Sequence, residues 1–124
     1  MAAFGIEKKQ ALYFLPPYEW YNDTIAAWTK ELDLQLINYT AGSLSHTDYT
    51  TPDAKNYRSS RTIYQSIIDY EKNSSIGLNG ALLLMHIGTD PKRTDKLYHL
   101  LSQLLQWLAE KKYSLVTVSQ LLKK

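Results

Sequence analysis

The chain has 124 residues, no cysteine and a formal net charge of +2. A chain of this length forms one domain at most, and it is short for a complete (β/α) barrel. Its weak positive charge gives no electrostatic reason to expect a nucleic acid as partner. The lack of cysteine excludes disulfides and cysteine-based metal sites. No apolar run reaches the length needed to span a membrane.

Short apolar runs alternate along the chain with longer amphipathic segments. Short runs bounded by turn residues favour strands, whereas apolar residues that recur every three or four positions favour helices. The first run ends at Pro16 and Pro17, which cannot continue a strand ladder. In chain order the pattern predicts a strand at 11–15, a helix at 22–32, a strand at 34–39, a polar loop at 41–59, a helix at 60–72, a turn at 73–80, a strand at 81–85, a helix at 92–111 and a strand near 114–118.

This order, βαβαβαβ, predicts an α/β fold with mainly parallel strands and right-handed crossovers. Because the C-terminal ends of parallel strands open onto one edge of a sheet, we expect a cleft at that edge. The segments predicted to meet there are Pro16-Pro17-Tyr18, Asn38-Tyr39-Thr40 and His86-Ile87-Gly88-Thr89.

The segment from Ala81 to Pro91 carries the strongest indication of a site. Five apolar residues lead directly to His86, and Asp90 followed by Pro91 is a typical helix start. Since alternate residues of a strand share a face, Leu84 and His86 are predicted to point the same way. An apolar floor beside an imidazole could hold a small acyl group next to a proton donor.

Three groups of residues carry a resemblance to a known family. They are Phe14-Leu15-Pro16-Pro17-Tyr18, then Asp48-Tyr49, then Leu84-Met85-His86. Their order and spacing resemble the C-terminal half of the polysaccharide deacetylase domain, which is NodB-like and forms carbohydrate esterase family 4. The similarity runs from about Phe4 to Leu122.

The resemblance implies a metal-dependent amide hydrolase that removes acetyl groups from the N-acetyl sugars of a carbohydrate polymer, on a distorted (β/α) barrel. In this family a divalent metal, usually zinc, polarises the acetyl carbonyl and activates water, and an aspartate is the general base. The resemblance also suggests the bacterial cell envelope or secretion. The matching positions are His86 for the general acid, Leu84 for the acetyl pocket, and Pro16, Pro17, Tyr18, Asp48 and Tyr49 for the groove.

The chain departs from the family pattern in the residues that hold the metal. The family's Asp-Asp and His-x-x-x-His motifs are absent, and His46, His86 and His99 show no ligand spacing. Leu15 stands where an arginine usually precedes Pro-Pro-Tyr. The first six residues resemble the end of a helix that enters a strand, so residues 1–124 are predicted to be a single partial domain, the C-terminal portion of the barrel.

From these departures we expect the 124-residue protein to bind no metal cofactor and to release no acetate from N-acetylglucosamine oligomers. The alternative is a non-catalytic carbohydrate-binding or interaction module that kept the groove. On the residues alone, His86 is also compatible with a satisfied buried histidine. Tyr18 is compatible with packing as well as with stacking on sugar.

The barrel expectation also predicts self-association. Four strands taken from a closed barrel leave the outer ones, at 11–15 and 114–118, with unpaired edges, and such edges recruit other chains. Light scattering at high protein concentration tests this expectation, which a strict monomer would contradict.

Overall fold

Gly5, Glu7 and residues 10–122 are described by the computed structural model. The chain divides into two units, Met1–Tyr39 and Thr40–Lys124. The helix end predicted within residues 1–6 lies outside the described residues, apart from Gly5. The elements are β1 (Tyr13–Phe14), α1 (Asp23–Glu31), β2 (Gln35–Leu36), α2 (Ser60–Asn73), α3 (Leu101–Glu110) and α4 (Val118–Leu121), with short 3₁₀ turns at Pro17–Glu19, Ser45–Thr47 and Leu97–Leu100.

The first unit contains a strand, a helix and a second strand parallel to the first. The Gln35 N–H donates to the Leu12 carbonyl and the Ile37 N–H to the Phe14 carbonyl, each over 2.9 Å. Helix α1 begins at Asp23 because the Asn22 side chain accepts the Ile25 N–H at 3.0 Å. These three elements lie within the segments predicted at 11–15, 22–32 and 34–39.

The second unit is built around helices α2 and α3. Ser59 caps α2 by accepting the Thr62 N–H at 3.2 Å. Its buried residues recur at helical spacing, so one stripe of the helix faces the core. Two leucines of α3, within the helix predicted at 92–111, complete this core. The buried cluster consists of Ile67, Leu78, Leu104 and Leu108.

The predicted α/β barrel segment is wrong. The described residues are mainly helical, and their sheet has only the two strands β1 and β2. The strands predicted at 81–85 and 114–118 are absent, and the helix predicted at 92–111 begins at Leu97 as a 3₁₀ turn and becomes α-helical only at Leu101.

Residues 81–86 do not form a strand because side chains take the bonds that a neighbouring strand would have made. The Leu82 N–H donates to the Thr40 hydroxyl at 2.9 Å, although the Thr40 N–H does donate to the Leu82 carbonyl at 2.8 Å. The His86 N–H donates to the Asp48 carboxylate at 2.8 Å. The apolar run is therefore paired by side chains, and a backbone ladder does not develop.

Two local motifs explain the changes in the C-terminal third. The Asp90 side chain accepts the Lys92 N–H at 2.8 Å, which closes a turn, and residues 91–96 are not helical. Thr117 and Gln120 form a capping box in which each side chain accepts the other's backbone N–H. That box starts α4 inside the segment predicted as the last strand.

These corrections remove the argument for self-association from four barrel strands. Residues 114–118 contribute no strand edge, since the capping box occupies their end. Self-association itself stays a prediction. No helix in the part of the chain that the structure describes has the length and apolar character needed to cross a lipid bilayer.

The turn between α2 and residue 81 supplies a stability prediction. Gly77 has a φ of +60°, and a methyl group there would overlap the Tyr113 hydroxyl, which accepts the Leu78 N–H at 2.9 Å. We expect Gly77→Ala to lower the free energy of unfolding by about 2 kcal/mol, because it adds a lost hydrogen bond to the strain of a left-handed alanine.

Gly80 provides the matched control for that measurement. Its φ is +76°, but a methyl group there would have no neighbour within 4 Å. Gly80→Ala is therefore expected to lower the free energy of unfolding by about 1 kcal/mol, from the strain of a left-handed alanine alone. Urea unfolding of both variants checks the difference, and equal losses would show that the contact with Tyr113 is unimportant.

Candidate functional site

Asp48 and His86 form a closely bonded pair in the second unit. One carboxylate oxygen of Asp48 accepts the backbone N–H of His86 at 2.8 Å, and the other lies 2.7 Å from Nδ1 of its ring. The Asp48 side chain is 1% exposed and that of His86 is 32% exposed. One buried carboxylate thus holds both the main chain and the ring of a histidine that solvent can still reach.

The loop before α2 is wound so that Asp48 faces inward. Ser45–Thr47 forms a 3₁₀ turn in which the Thr47 hydroxyl donates to the Leu44 carbonyl at 2.7 Å. The Leu44 N–H donates to the Ser66 hydroxyl of α2 at 3.0 Å, which fixes the turn to the helix. Asp48 follows directly, with φ −70° and ψ −1°.

The bonding defines which ring nitrogen of His86 carries the proton in the neutral form. An ionised carboxylate can only accept, so Nδ1 is the donor to Asp48. Within the described part of the chain, Nε2 of His86 has no hydrogen-bond partner. That nitrogen is therefore left to accept or donate a proton at the surface, as in histidines that serve as acid or base.

Two predicted site residues flank the pair. The ring centroid of Tyr49 lies 5.4 Å from that of His86, edge to face at 64°, and Tyr49 is 51% exposed. Ala81, Leu83 and Met85 pack against the hydrophobic core. Leu84 is half-buried and alternates with these core residues, as His86 does. The predicted shared face of Leu84 and His86 stays a prediction.

The remaining predicted site residues, Pro16, Pro17 and Tyr18, belong to the first unit. Pro16 is buried, and its carbonyl accepts the Glu19 N–H at 2.9 Å. Tyr18 is 94% exposed and has a φ of 57°, an uncommon conformation for a bulky residue. The Asn38 side chain donates to the Glu19 carbonyl at 2.8 Å and fixes the turn. The predicted approach of Tyr18 to His86 stays a prediction.

The sequence analysis missed a buried cluster just after the histidine segment. Arg93 is 0% exposed, although a sequence such as Pro-Lys-Arg-Thr-Asp-Lys is typical of a solvated surface. Asp95 accepts the N–H of Ser60, the first residue of α2, and the Tyr57 hydroxyl at 3.1 Å. The segment thus binds the N-terminal end of α2, and no local pattern marks it.

Asp95 makes the stability of this end of α2 dependent on pH. Burial by itself raises the pKa of Asp95, but hydrogen bonds from Ser60 and Tyr57 and the charge of Arg93 outweigh it, so the pKa lies below its ordinary value. A lowered pKa stabilises the fold above the unfolded-state value of about 3.9 and loses that contribution as the pH falls through the folded-state value.

We therefore expect Asp95→Asn to reduce the free energy of unfolding by about 1 kcal/mol at pH 7. The difference from the unmodified chain should shrink as the pH falls below about 4, because the unfolded chain then takes up a proton at Asp95 before the folded chain does. Urea unfolding at pH 7, 4 and 3 measures it. A difference as large at pH 3 as at pH 7 would show that the charge of Asp95 contributes nothing.

The described residues do not fit the metal site that the family resemblance implies. Among residues 10–122, Gly5 and Glu7, no group of three or more histidine, aspartate or glutamate side chains could hold a metal ion. Asp48 and His86 bond each other and form a pair only.

Comparison of the chain with family models, with curated proteins and with solved structures finds no match.

Proposed function

We propose that this chain carries the general acid of a carbohydrate amide hydrolase, with N-acetyl sugars of a polymer as the substrate class. The Asp48–His86 pair is the observation that supports the proposal. Its buried carboxylate, 2.7 Å from Nδ1, holds the ring so that Nε2 faces the surface. The substrate class follows from the family resemblance of Pro16-Pro17-Tyr18, Asp48-Tyr49 and Leu84-Met85-His86.

The proposed reaction step is protonation of the leaving amine. When an acetyl amide is hydrolysed, the C–N bond breaks only if the nitrogen takes up a proton, because a free amide anion is a poor leaving group. Protonated His86 donates the proton from Nε2, and Asp48 stabilises the cationic ring beforehand through Nδ1. The family resemblance assigns Leu84 to the acetyl pocket, and its apolar side chain suits the methyl group of an acetyl.

A carbohydrate-binding module without catalysis is the second candidate, favoured by exposed aromatic rings. Tyr18 is 94% and Trp20 64% exposed in the first unit, and Tyr49 is 51% exposed beside His86. Exposed tyrosine and tryptophan faces stack on sugar rings. This candidate needs the rings alone and no proton transfer.

Acetate release from N-acetylglucosamine oligomers tests the proposal. The protein is expressed from its native gene and assayed with and without added Zn²⁺. We expect His86→Gln to reduce kcat by about 10²–10⁴-fold, the usual contribution of a positioned acid. His99→Gln is the matched control, because His99 is exposed on the 3₁₀ turn at Leu97–Leu100 and its ring lies beside that of Tyr98.

Binding measurements separate the two candidates. In ¹⁵N-edited NMR titrations with the same oligomers, a binding module shows shifts at its exposed aromatic residues, and His86→Gln leaves the affinity unchanged. Absence of acetate release from the native-gene protein, together with such binding, would contradict the acid role. Equal rates for His86→Gln and His99→Gln would contradict it as well.

A further inference from the structure

We propose that Arg93 is the positioning residue of the Asp48–His86 pair. Its guanidinium is 0% exposed and holds the end of the loop that carries Asp48, while its own segment follows His86 by seven residues. The inference deepens the proposed function, but it is a statement about geometry and is tested by spectroscopy. The inference can therefore fail while the acid role of His86 survives, and the acid role can fail while the inference survives.

The first contact of Arg93 is with the end of the Asp48 loop. Nη1 donates to the Thr50 carbonyl at 2.7 Å. Thr50 in turn donates to the Thr47 carbonyl through its N–H at 3.2 Å and its hydroxyl at 2.9 Å. Asp48 lies between these two threonines, so the guanidinium fixes the turn in which the carboxylate sits.

The second set of contacts is with the N-terminal end of α2. Nη2 donates to the Arg58 carbonyl at 3.0 Å and to the Ser60 hydroxyl at 3.3 Å. The guanidinium carbon also lies 5.1 Å from the centre of the Tyr57 ring. A planar fork with donors in two directions can bind the loop end and the helix start at once, which a lysine ammonium cannot reproduce with the same geometry.

The connection back to His86 is held by Lys96. Its ammonium donates to the Thr89 carbonyl at 3.0 Å, the Thr89 hydroxyl at 2.7 Å and the Asp90 carbonyl at 2.8 Å. Three acceptors within seven residues close the segment into a rigid turn. The connections therefore form a closed ring. It runs from His86 through this turn to Arg93, then to the Asp48 loop, and from Asp48 back to His86.

The energetics favour a geometric role for the buried charge. A fully buried charged group is weak as a source of stability, since its desolvation opposes what its contacts contribute. Within the described residues, Nε of Arg93 has no hydrogen-bond partner, so two nitrogens carry all of its bonds. An apolar side chain could fill the same space, but only a forked donor can join these carbonyls, and the carbonyls are those that set the Asp48 loop.

The test compares Arg93→Lys and Arg93→Met with Arg61→Met, which removes the same charge from an exposed position on α2. The readouts are the ¹⁵N shifts of the His86 ring, which report the protonated nitrogen, and hydrogen exchange of the His86 backbone N–H. We expect Arg93→Met to mix the two ring tautomers and to speed exchange about tenfold. Arg93→Lys should lie between, and Arg61→Met should match the unmodified chain.

Ile67→Val is the control for a general loss of stability. It leaves a small cavity in the core and should leave the His86 ring spectrum unchanged. A folded Arg93→Met with the original ring spectrum and exchange rate would overturn the inference. If the methionine variant does not fold, native-state exchange of the unmodified chain decides the question. The backbone N–H of His86 and the guanidinium protons of Arg93 should then exchange through the same opening of the structure. A His86 N–H that exchanges while the Arg93 protons stay protected would overturn the inference.

Discussion

Replacing Asp48 with alanine is expected to lower the free energy of unfolding of the second unit by about 3 kcal/mol. The substitution removes an acceptor that is 1% exposed and leaves two donors of His86, the backbone N–H and Nδ1–H, without a partner. Asp48→Asn keeps one carbonyl oxygen and should lose about half as much. In the acetate assay of the protein expressed from its native gene, either change should reduce kcat by about 10²-fold or more. The reason is that the His86 ring is then no longer held in the orientation that directs Nε2 to the substrate.

Fluorescence of Trp107 measures the unfolding part of this prediction. It is the only tryptophan of the second unit, so a Trp20→Phe/Trp28→Phe background isolates its signal. Asp53→Ala is the control, because Asp53 is an exposed aspartate of the same loop and should leave the urea midpoint unchanged. Matching midpoints for Asp48→Ala and Asp53→Ala would mean that the buried pair contributes no stability.

Truncation of Ile67 should produce a loss of similar or larger size. Its side chain is 0% exposed and lies in a core cluster with only three other buried residues. Ile67→Ala is expected to lower the free energy of unfolding by about 3–4 kcal/mol, from lost apolar burial and the cavity left behind. Since whole domains are stable by about 5–15 kcal/mol, this change should remove a large part of the stability of the second unit.

Ile76→Ala supplies the same chemical change at a position that is 63% exposed. It is expected to alter the free energy of unfolding by at most about 0.5 kcal/mol. Urea unfolding followed by Trp107 compares the two variants. A loss below about 1 kcal/mol for Ile67→Ala would show that the cluster relaxes around the cavity and that the core lies elsewhere.

The local elements could be predicted because neighbours within four residues specify them. Helix α1 begins at the cap Asn22, one of the two capping residues, Asn22 and Asp23, that the sequence offers before that amphipathic segment, and α2 begins after the cap Ser59. The apolar residues 115–116 favour the strand predicted near 114–118, whereas the capping box of Thr117 and Gln120 starts a helix there. Both signals are local, and the helix cap prevails.

The candidate site was predicted in its members but not in its assembly. The apolar run before it indicates His86, and the family resemblance adds Asp48 and Tyr49, whereas the bond between Asp48 and His86 joins positions 38 residues apart. No spacing rule specifies that one carboxylate receives both the N–H and the ring of the same histidine. Arg93 was missed altogether, because a single arginine between polar residues has the same sequence pattern whether it is buried or solvated.

By itself, the sequence determined the start of α1 to within one residue, the apolar stripes of α2 and α3, and two short parallel strands in the first unit. The tertiary structure alone decided that residues 81–86 bond to Thr40 and Asp48 and do not enter a sheet. It also decided that Arg93 is buried and where its donors go. The physical reason is the range of the interactions: a cap or a periodic stripe needs only nearby residues, whereas the partner of a backbone N–H or a guanidinium depends on which distant segment the chain brings against it.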